Sequence, residues 1–139
     1  MKKFLAILAL AAAPAFAGET PSPEGAQVYI ISPKDGDTIS GPVTVAFGAV
    51  GIGVAPAGVE WDNTGHHHLF LNRAPFDAAA DGVEPIPADD NHKHFGGGQT
   101  QVTLELPPGT HTLQLVMGDA FHVAHEPPVV SDVITITVE

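Results

Sequence analysis

The chain has 139 residues, with 16 acidic residues against five basic ones, a formal net charge of −11 and no cysteine. Zinc-finger thiolate sites, blue-copper centres and cysteine nucleophiles all need a cysteine, so the composition excludes them. The negative charge disfavours nucleic acid and anionic membrane surfaces as partners and favours cations.

The first 17 residues have the pattern of a secretory signal peptide. Lys2 and Lys3 precede an apolar run, residues 4–13, that is too short to span a bilayer, and AFA at residues 15–17 is a small-x-small cleavage site. We therefore expect cleavage after Ala17, a periplasmic or secreted protein, and no membrane insertion afterwards. The mature chain would keep three basic residues and all 16 acids, for a net charge of 3 − 16 = −13.

After a polar leader at residues 18–25, which we expect to be flexible, the chain shows strand patterns. Apolar and polar residues alternate in the segments 26–32, 43–50, 99–106, 110–117 and 131–139. A Pro-Pro-Gly link predicts a hairpin between the third and fourth of these segments. No mature segment has a convincing helical period. The pattern predicts an all-β single domain over residues 26–139, an immunoglobulin-like two-sheet antiparallel β-sandwich.

Residues 65–72, GHHHLFLN, form a further predicted strand with an unusual start. Because alternate residues of a strand face opposite sides, His66 and His68 should project together, whereas His67 should face the core with Leu69 and Leu71. The alternative interpretation is that His66 and His68 lie on a solvated outer face and that His67 is a hydrogen-bonded core histidine.

Residues 73–98 carry little strand pattern and form an unusually long irregular loop. This loop contains His92 and His94, and a later irregular stretch contains His122 and His125. We expect the long loop to fold over the first histidine group and to bring His92 and His94 near it. His111 lies at the start of the segment 110–117, on the same face as Leu113 and Leu115. We interpret His111 as structural.

Histidine pairs two or three residues apart can close on one metal ion. The candidate metal ligands are therefore His66, His68, His92, His94, His122 and His125, with His67 and Asp119 as secondary candidates. Imidazole-rich sites suit zinc, copper and nickel, and copper binds such sites more tightly than zinc. A Met-rich Cu(I) carrier is not indicated, because Met117 is the sole methionine outside the signal peptide. For each pair, the alternative is an ordinary polar loop or strand end.

Two stretches, GHHHLFLN and PIPADDNHKHFGGGQTQVTLELPPGTHTLQLVMGDAFHVAHEPPVVSDVITITV, resemble the bacterial DUF4399 family of small exported domains. The resemblance covers roughly residues 59–138. It implies a small periplasmic β-domain, and it implies no activity, ligand or catalytic residue.

The leading hypothesis is a periplasmic histidine-rich module that binds copper or zinc, with no organic cofactor. The main alternative is an accessory domain without metal that recognises a protein or a glycan through its loops. Calcium binding by DGD (35–37) or ADDN (88–91) is a third hypothesis, although Asp-Gly is also ordinary turn chemistry. The sequence contains no nucleophile elbow, HExxH motif or phosphate loop, so no enzymatic reaction is indicated.

Overall fold

The structure, a computed structural model, describes residues 20–139, so the predicted signal peptide lies outside the described residues. Nearly all regular structure in the described part is β. The elements in chain order are β1 (Gln27–Ser32), β2 (Thr38–Ile39), β3 (Val43–Val50), β4 (Gly53–Val54), β5 (Thr64–Leu71), α1 (Ala78–Asp81), β6 (His92–His94), β7 (Gln101–Leu104), β8 (Gly109–Gly118) and β9 (Ile134–Val138).

These strands form two sheets. The smaller sheet has the order β1-β3-β7, and the larger has the order β2-β9-β8-β5-β4, with β6 also pairing with β5. Two short pairs, β2 with β9 and β4 with β5, are parallel, and the other pairs are antiparallel. The predicted all-β, two-sheet sandwich is therefore confirmed.

The main core lies between the two sheets. Val43, Val45 and Phe47 of β3 alternate inward from the smaller sheet, and Leu113 and Leu115 of β8 do so from the larger one. A side-chain period of two thus places every second residue of these strands in the core, as the sequence predicts.

The predicted hairpin between residues 99–106 and 110–117 is wrong. β7 pairs with β3 in the smaller sheet, whereas β8 pairs with β5 and β9 in the larger one. The Pro-Pro-Gly link therefore crosses from one sheet to the other. Both strands carry an apolar face, and in a sandwich these faces are buried by packing on opposite sides of one core, which the alternation alone cannot distinguish from lateral pairing.

The outer face of the larger sheet is covered rather than solvated. Ile86 from the long loop and Ala124 from the loop after β8 pack on Phe70 and Val116 in a second, smaller apolar cluster. Both irregular segments lie over this face, and together they enclose the first part of β5.

Part of the predicted flexible leader is held to the domain. The backbone N–H of Ser22 donates to Glu126 O at 3.2 Å, and Glu126 N–H donates to Thr20 O at 2.9 Å. The leader thus adds a short strand-like contact to the loop after β8. Among residues 20–139, no helix has the length and apolar character needed to cross a membrane.

Candidate metal centre

The outer face of β5 presents His66 and His68 side by side. Both side chains are fully buried, because the two irregular segments cover this face, so a solvated outer face is the wrong interpretation. Their Nε2 atoms lie 3.0 Å apart. Gly118, the residue of β8 opposite His66, leaves the space for this arrangement, since a Cβ there would lie 2.7 Å from His68 Nε2.

The register of β6 on β5 brings His94 to the same place. His94 lies directly opposite His68 in this antiparallel pair, and opposite residues project to the same face. The ring centroid of His94 lies 5.0 Å from that of His66 and 5.1 Å from that of His68. The ring lies over Gly96, where a Cβ would overlap His94 Cε1.

A turn built on Asp119 supplies the fourth histidine, His122. The Asp119 carboxylate accepts backbone N–H bonds from Phe121 and Val123 at 2.8 and 3.0 Å, and Asp119 O accepts one from His122. His122 takes a left-handed backbone conformation (φ 70°), which is uncommon for a residue other than glycine. Asp119 therefore stabilises the turn that orients His122.

The four histidines His66, His68, His94 and His122 form one compact group. Each offers a ring nitrogen within 4.8 Å of the other three. Their six pairs of ring centroids lie between 4.7 and 5.9 Å apart. His66 Nε2 also lies 3.1 Å from His122 Nδ1. Four ligands at about 2.0–2.1 Å around a tetrahedral ion would be about 3.3–3.4 Å from one another, so the group needs only small side-chain shifts to bind a metal ion.

The group is electrically suited to a cation at neutral pH. Burial, followed by the neighbouring imidazoles His122 and His94, lowers the pKa of His66 to about 4. Burial and the same kind of neighbours lower the pKa of His68 to about 2, and burial together with His122 lowers that of His94. These three rings are therefore neutral at pH 7, and each has a lone pair that can bind a metal.

The far sides of the two buried rings lack hydrogen-bond partners. Nδ1 of His66 and Nδ1 of His68 are buried and have no partner among the described residues. Metal-binding histidines usually donate this second N–H to a carboxylate or carbonyl. Packing between β5 and the covering loops, rather than a second hydrogen bond, therefore orients these two rings.

His67 lies on the opposite face of β5, in the main core. Its ring centroid is 5.1 Å from that of Phe47, and neither ring nitrogen has a partner among the described residues. The inward direction agrees with the sequence, but the hydrogen bond expected for a core histidine is absent from the described contacts. His67, a secondary candidate ligand, points away from His66 and His68 and is not a member of their group.

The structure does not bring His92 or His125 into the group. His92 lies opposite Phe70, two residue pairs further along β5 than His94, where its Nδ1–H donates to Asp89 and its Nε2 accepts from Arg73 at 2.7 Å. His125 Nε2 lies 3.1 Å from the carbonyl oxygen of Thr64. His92 and His125 therefore contact other partners. The predicted convergence of His92 with His94, and of His125 with His122, on one ion does not occur.

The structure also shows the contacts of His111, of the two segments considered for calcium binding, and of Asp119. His111 is structural, as expected, because its Nε2 donates to Pro107 O and its Nδ1 accepts from Asn72. In the DGD and ADDN segments, Asp37 and Asp89 accept backbone N–H groups of their own turns. Asp119 holds a turn by hydrogen bonds to backbone N–H groups and to Thr20 Oγ1 and is not a member of the histidine group.

The fold and the site together define a β-sandwich domain with a four-histidine group under the loops on one sheet. The chain belongs to the DUF4399 family, described as a domain of unknown function, whose family model matches residues 45–139. A fibronectin(III)-like module of Clostridium thermocellum CbhA is similar over 81% of this chain and 93% of that module, with 10% identity and a TM-score of 0.39. No curated protein matches the sequence.

The site also depends on two glycines that the strand and histidine patterns do not single out. Gly118 and Gly96 make room for the rings of His68 and His94. The GGG run after HKHF and the Met-Gly end of a strand are visible signals, but glycine at either place is also typical of a turn.

Proposed function

We propose that this protein is an exported module that binds one copper or zinc ion through His66, His68, His94 and His122. The observation that carries the proposal is the convergence of four ring nitrogens within 4.8 Å. Hydrogen bonds between neutral imidazoles account for the contacts of His66 with His68 and His122, but no hydrogen bond accounts for the position of the His94 ring beside them.

The donor set supports copper or zinc over calcium and magnesium. All four donors are imidazole nitrogens, which suit copper and zinc, whereas calcium and magnesium require oxygen ligands. Copper(II) binds nitrogen sites more tightly than zinc does, so the metal present in the cell depends on availability as well as affinity. Export, expected from the first 17 residues, supplies the compartment in which this binding would occur.

The experiment is titration of the metal-free protein, produced without a histidine tag, with Zn²⁺ and Cu²⁺ by calorimetry. We expect one equivalent to bind, and we expect His68→Ala to abolish tight binding. His92→Ala is the matched control, because it removes a histidine from the same face of the sheet but outside the group. Binding that survives in the His68 variant, or binding that is lost in the His92 variant, would refute the assignment.

One observation favours the alternative, an interaction domain. A recess of about 390 Å³ lies beside the turn that carries His122, and it is lined by Trp61 and Phe121, whose exposed fractions are 69% and 54%. Exposed aromatic side chains of this size are enriched at recognition surfaces.

Trp61 is the sole tryptophan, so its fluorescence reports on this recess directly. Saturable quenching by a protein or glycan, lost in a Phe121→Ala variant, would establish recognition at this place. An unchanged emission spectrum with every such ligand would count against it.

A further inference from the structure

The four histidines of the proposed metal site differ greatly in how firmly they are held. His66 and His68 are fully buried on a strand that is hydrogen-bonded on both sides, and His122 is half-buried in the turn built on Asp119. His94 is exposed, and it ends the three-residue strand β6. Three donors therefore form a fixed set, and the fourth lies at the surface.

The chain on both sides of His94 is anchored, whereas no hydrogen bond to a described residue holds the His94 ring itself. No described residue forms a hydrogen bond with this ring, whereas the next residue, Phe95, is anchored by its backbone N–H to His67 O and by its buried ring against Phe47. On the other side, Lys93 pairs with Leu69 in the sheet. Rotation about the side-chain bonds of His94 would thus move a donor without unfolding β6.

We propose, on the basis of the proposed function, that His94 is an exchangeable ligand through which the metal ion is transferred to or from another imidazole-bearing protein. The bond between the metal and His94 breaks, and a bond to the incoming neutral imidazole forms. No electron or proton is transferred. The three remaining histidines hold the ion during the exchange, and an incoming ligand reaches it on the side that His94 vacates.

The alternative for a four-histidine site is a permanent structural one, since closed sites with four protein ligands are typical of structural zinc. A permanent site would have its ligands buried and supported to a similar extent. Here the exposure of His94 beside the enclosed pair His66 and His68 argues against equivalence.

The test uses zinc release to a chromogenic chelator from the full mature protein and from three variants, His94→Gly, His68→Gly and His92→Gly. We expect His94→Gly to retain one zinc ion, to bind it roughly tenfold or more weakly, and to release it correspondingly faster. Free imidazole at millimolar concentration should return the release rate of this variant toward that of the unaltered protein, because the vacated position is open to solvent.

The other two variants serve as controls. His68→Gly should not bind zinc tightly, and imidazole should not rescue it because the position is enclosed, whereas His92→Gly should behave as the unaltered protein does. Circular dichroism and Trp61 emission establish that each variant is folded.

If zinc binds to the unaltered protein but His94→Gly has the same affinity and release rate, His94 is not a ligand and the inference is refuted. It is also refuted if His94→Gly loses binding as completely as His68→Gly, or if imidazole fails to rescue it. Failure of the unaltered protein to bind any ion would instead refute the proposed function itself.

Discussion

Replacement of His67 by leucine should stabilise the protein. His67 is fully buried in the main core, and both of its ring nitrogens lack a partner among the described residues. A buried polar group without a partner costs about 1–3 kcal/mol, so an apolar side chain of similar size should increase the free energy of unfolding by about 2 kcal/mol at pH 7.5. At roughly 4 °C per kcal/mol for a domain of this size, the melting temperature should rise by about 8 °C.

The stabilisation should increase at lower pH. Burial lowers the pKa of His67 from 6.5 to about 4, so between these values the unfolded chain binds a proton that the folded protein does not. The unaltered protein therefore loses stability as the pH falls through this range, by about 1.4 kcal/mol per pH unit from this residue. By pH 5 this amounts to about 2 kcal/mol, which His67→Leu does not lose.

Urea unfolding of the metal-free protein at pH 7.5 and pH 5 measures both effects. His111→Leu is the matched control, because it makes the same substitution at a buried histidine whose two nitrogens are hydrogen-bonded, and it should destabilise the protein. A destabilising His67→Leu substitution, or an equal difference at the two pH values, would show that His67 has a partner in the core and would refute the reasoning.

Three further predictions concern the site and its surroundings. Gly118→Ala should weaken zinc binding at least about tenfold, because the new Cβ would lie 2.7 Å from His68 Nε2; unchanged affinity in calorimetry would contradict this arrangement. Between pH 7.5 and 5.5, zinc affinity should fall far less than the roughly ten-thousandfold expected for four histidines of ordinary pKa, because His66 and His68 stay neutral with pKa values of about 4 and about 2; competition titrations that show the full loss would be inconsistent with their burial. Arg73→Ala should lower stability by about 1 kcal/mol through loss of its ion pair with Asp81, with the zinc stoichiometry unchanged; a loss of zinc would place that ion pair in the site.

The sequence predicted the local directions of side chains better than their surroundings. Alternation along β5 correctly placed His66 and His68 on one face and His67 on the other. The expected folding of the long loop over the first histidine group is confirmed, since β6 pairs with β5. The residues that cover the outer face were not predicted, because the covering segments contribute through single residues such as Ile86 and Ala124. These segments have no regular spacing of apolar residues, so the sequence does not predict which of their residues pack on the sheet.

The choice among the later histidines depended on features that have no sequence signal. His92 and His94 both lie on β6, and the register of this three-residue strand on β5 decides that His94 meets His68 whereas His92 meets Phe70. His122 reaches the group through a left-handed backbone at a position where glycine would be the ordinary residue. The register of β6 and the backbone angle of His122 are set by tertiary contacts. The spacing of the histidines along the chain cannot distinguish His92 from His94, or His122 from His125.

The most direct test of the metal site is nuclear magnetic resonance of the histidine side chains, with ¹⁵N-labelled metal-free protein titrated with Zn²⁺. We expect one equivalent of zinc to shift one ring nitrogen each of His66, His68, His94 and His122, with Nε2 as the affected atom in His66 and His68. The resonances of His92, His111 and His125 should stay nearly unchanged. Shifts confined to His92 or His125, or no saturable shift in the four, would contradict the assignment of this group as a metal centre.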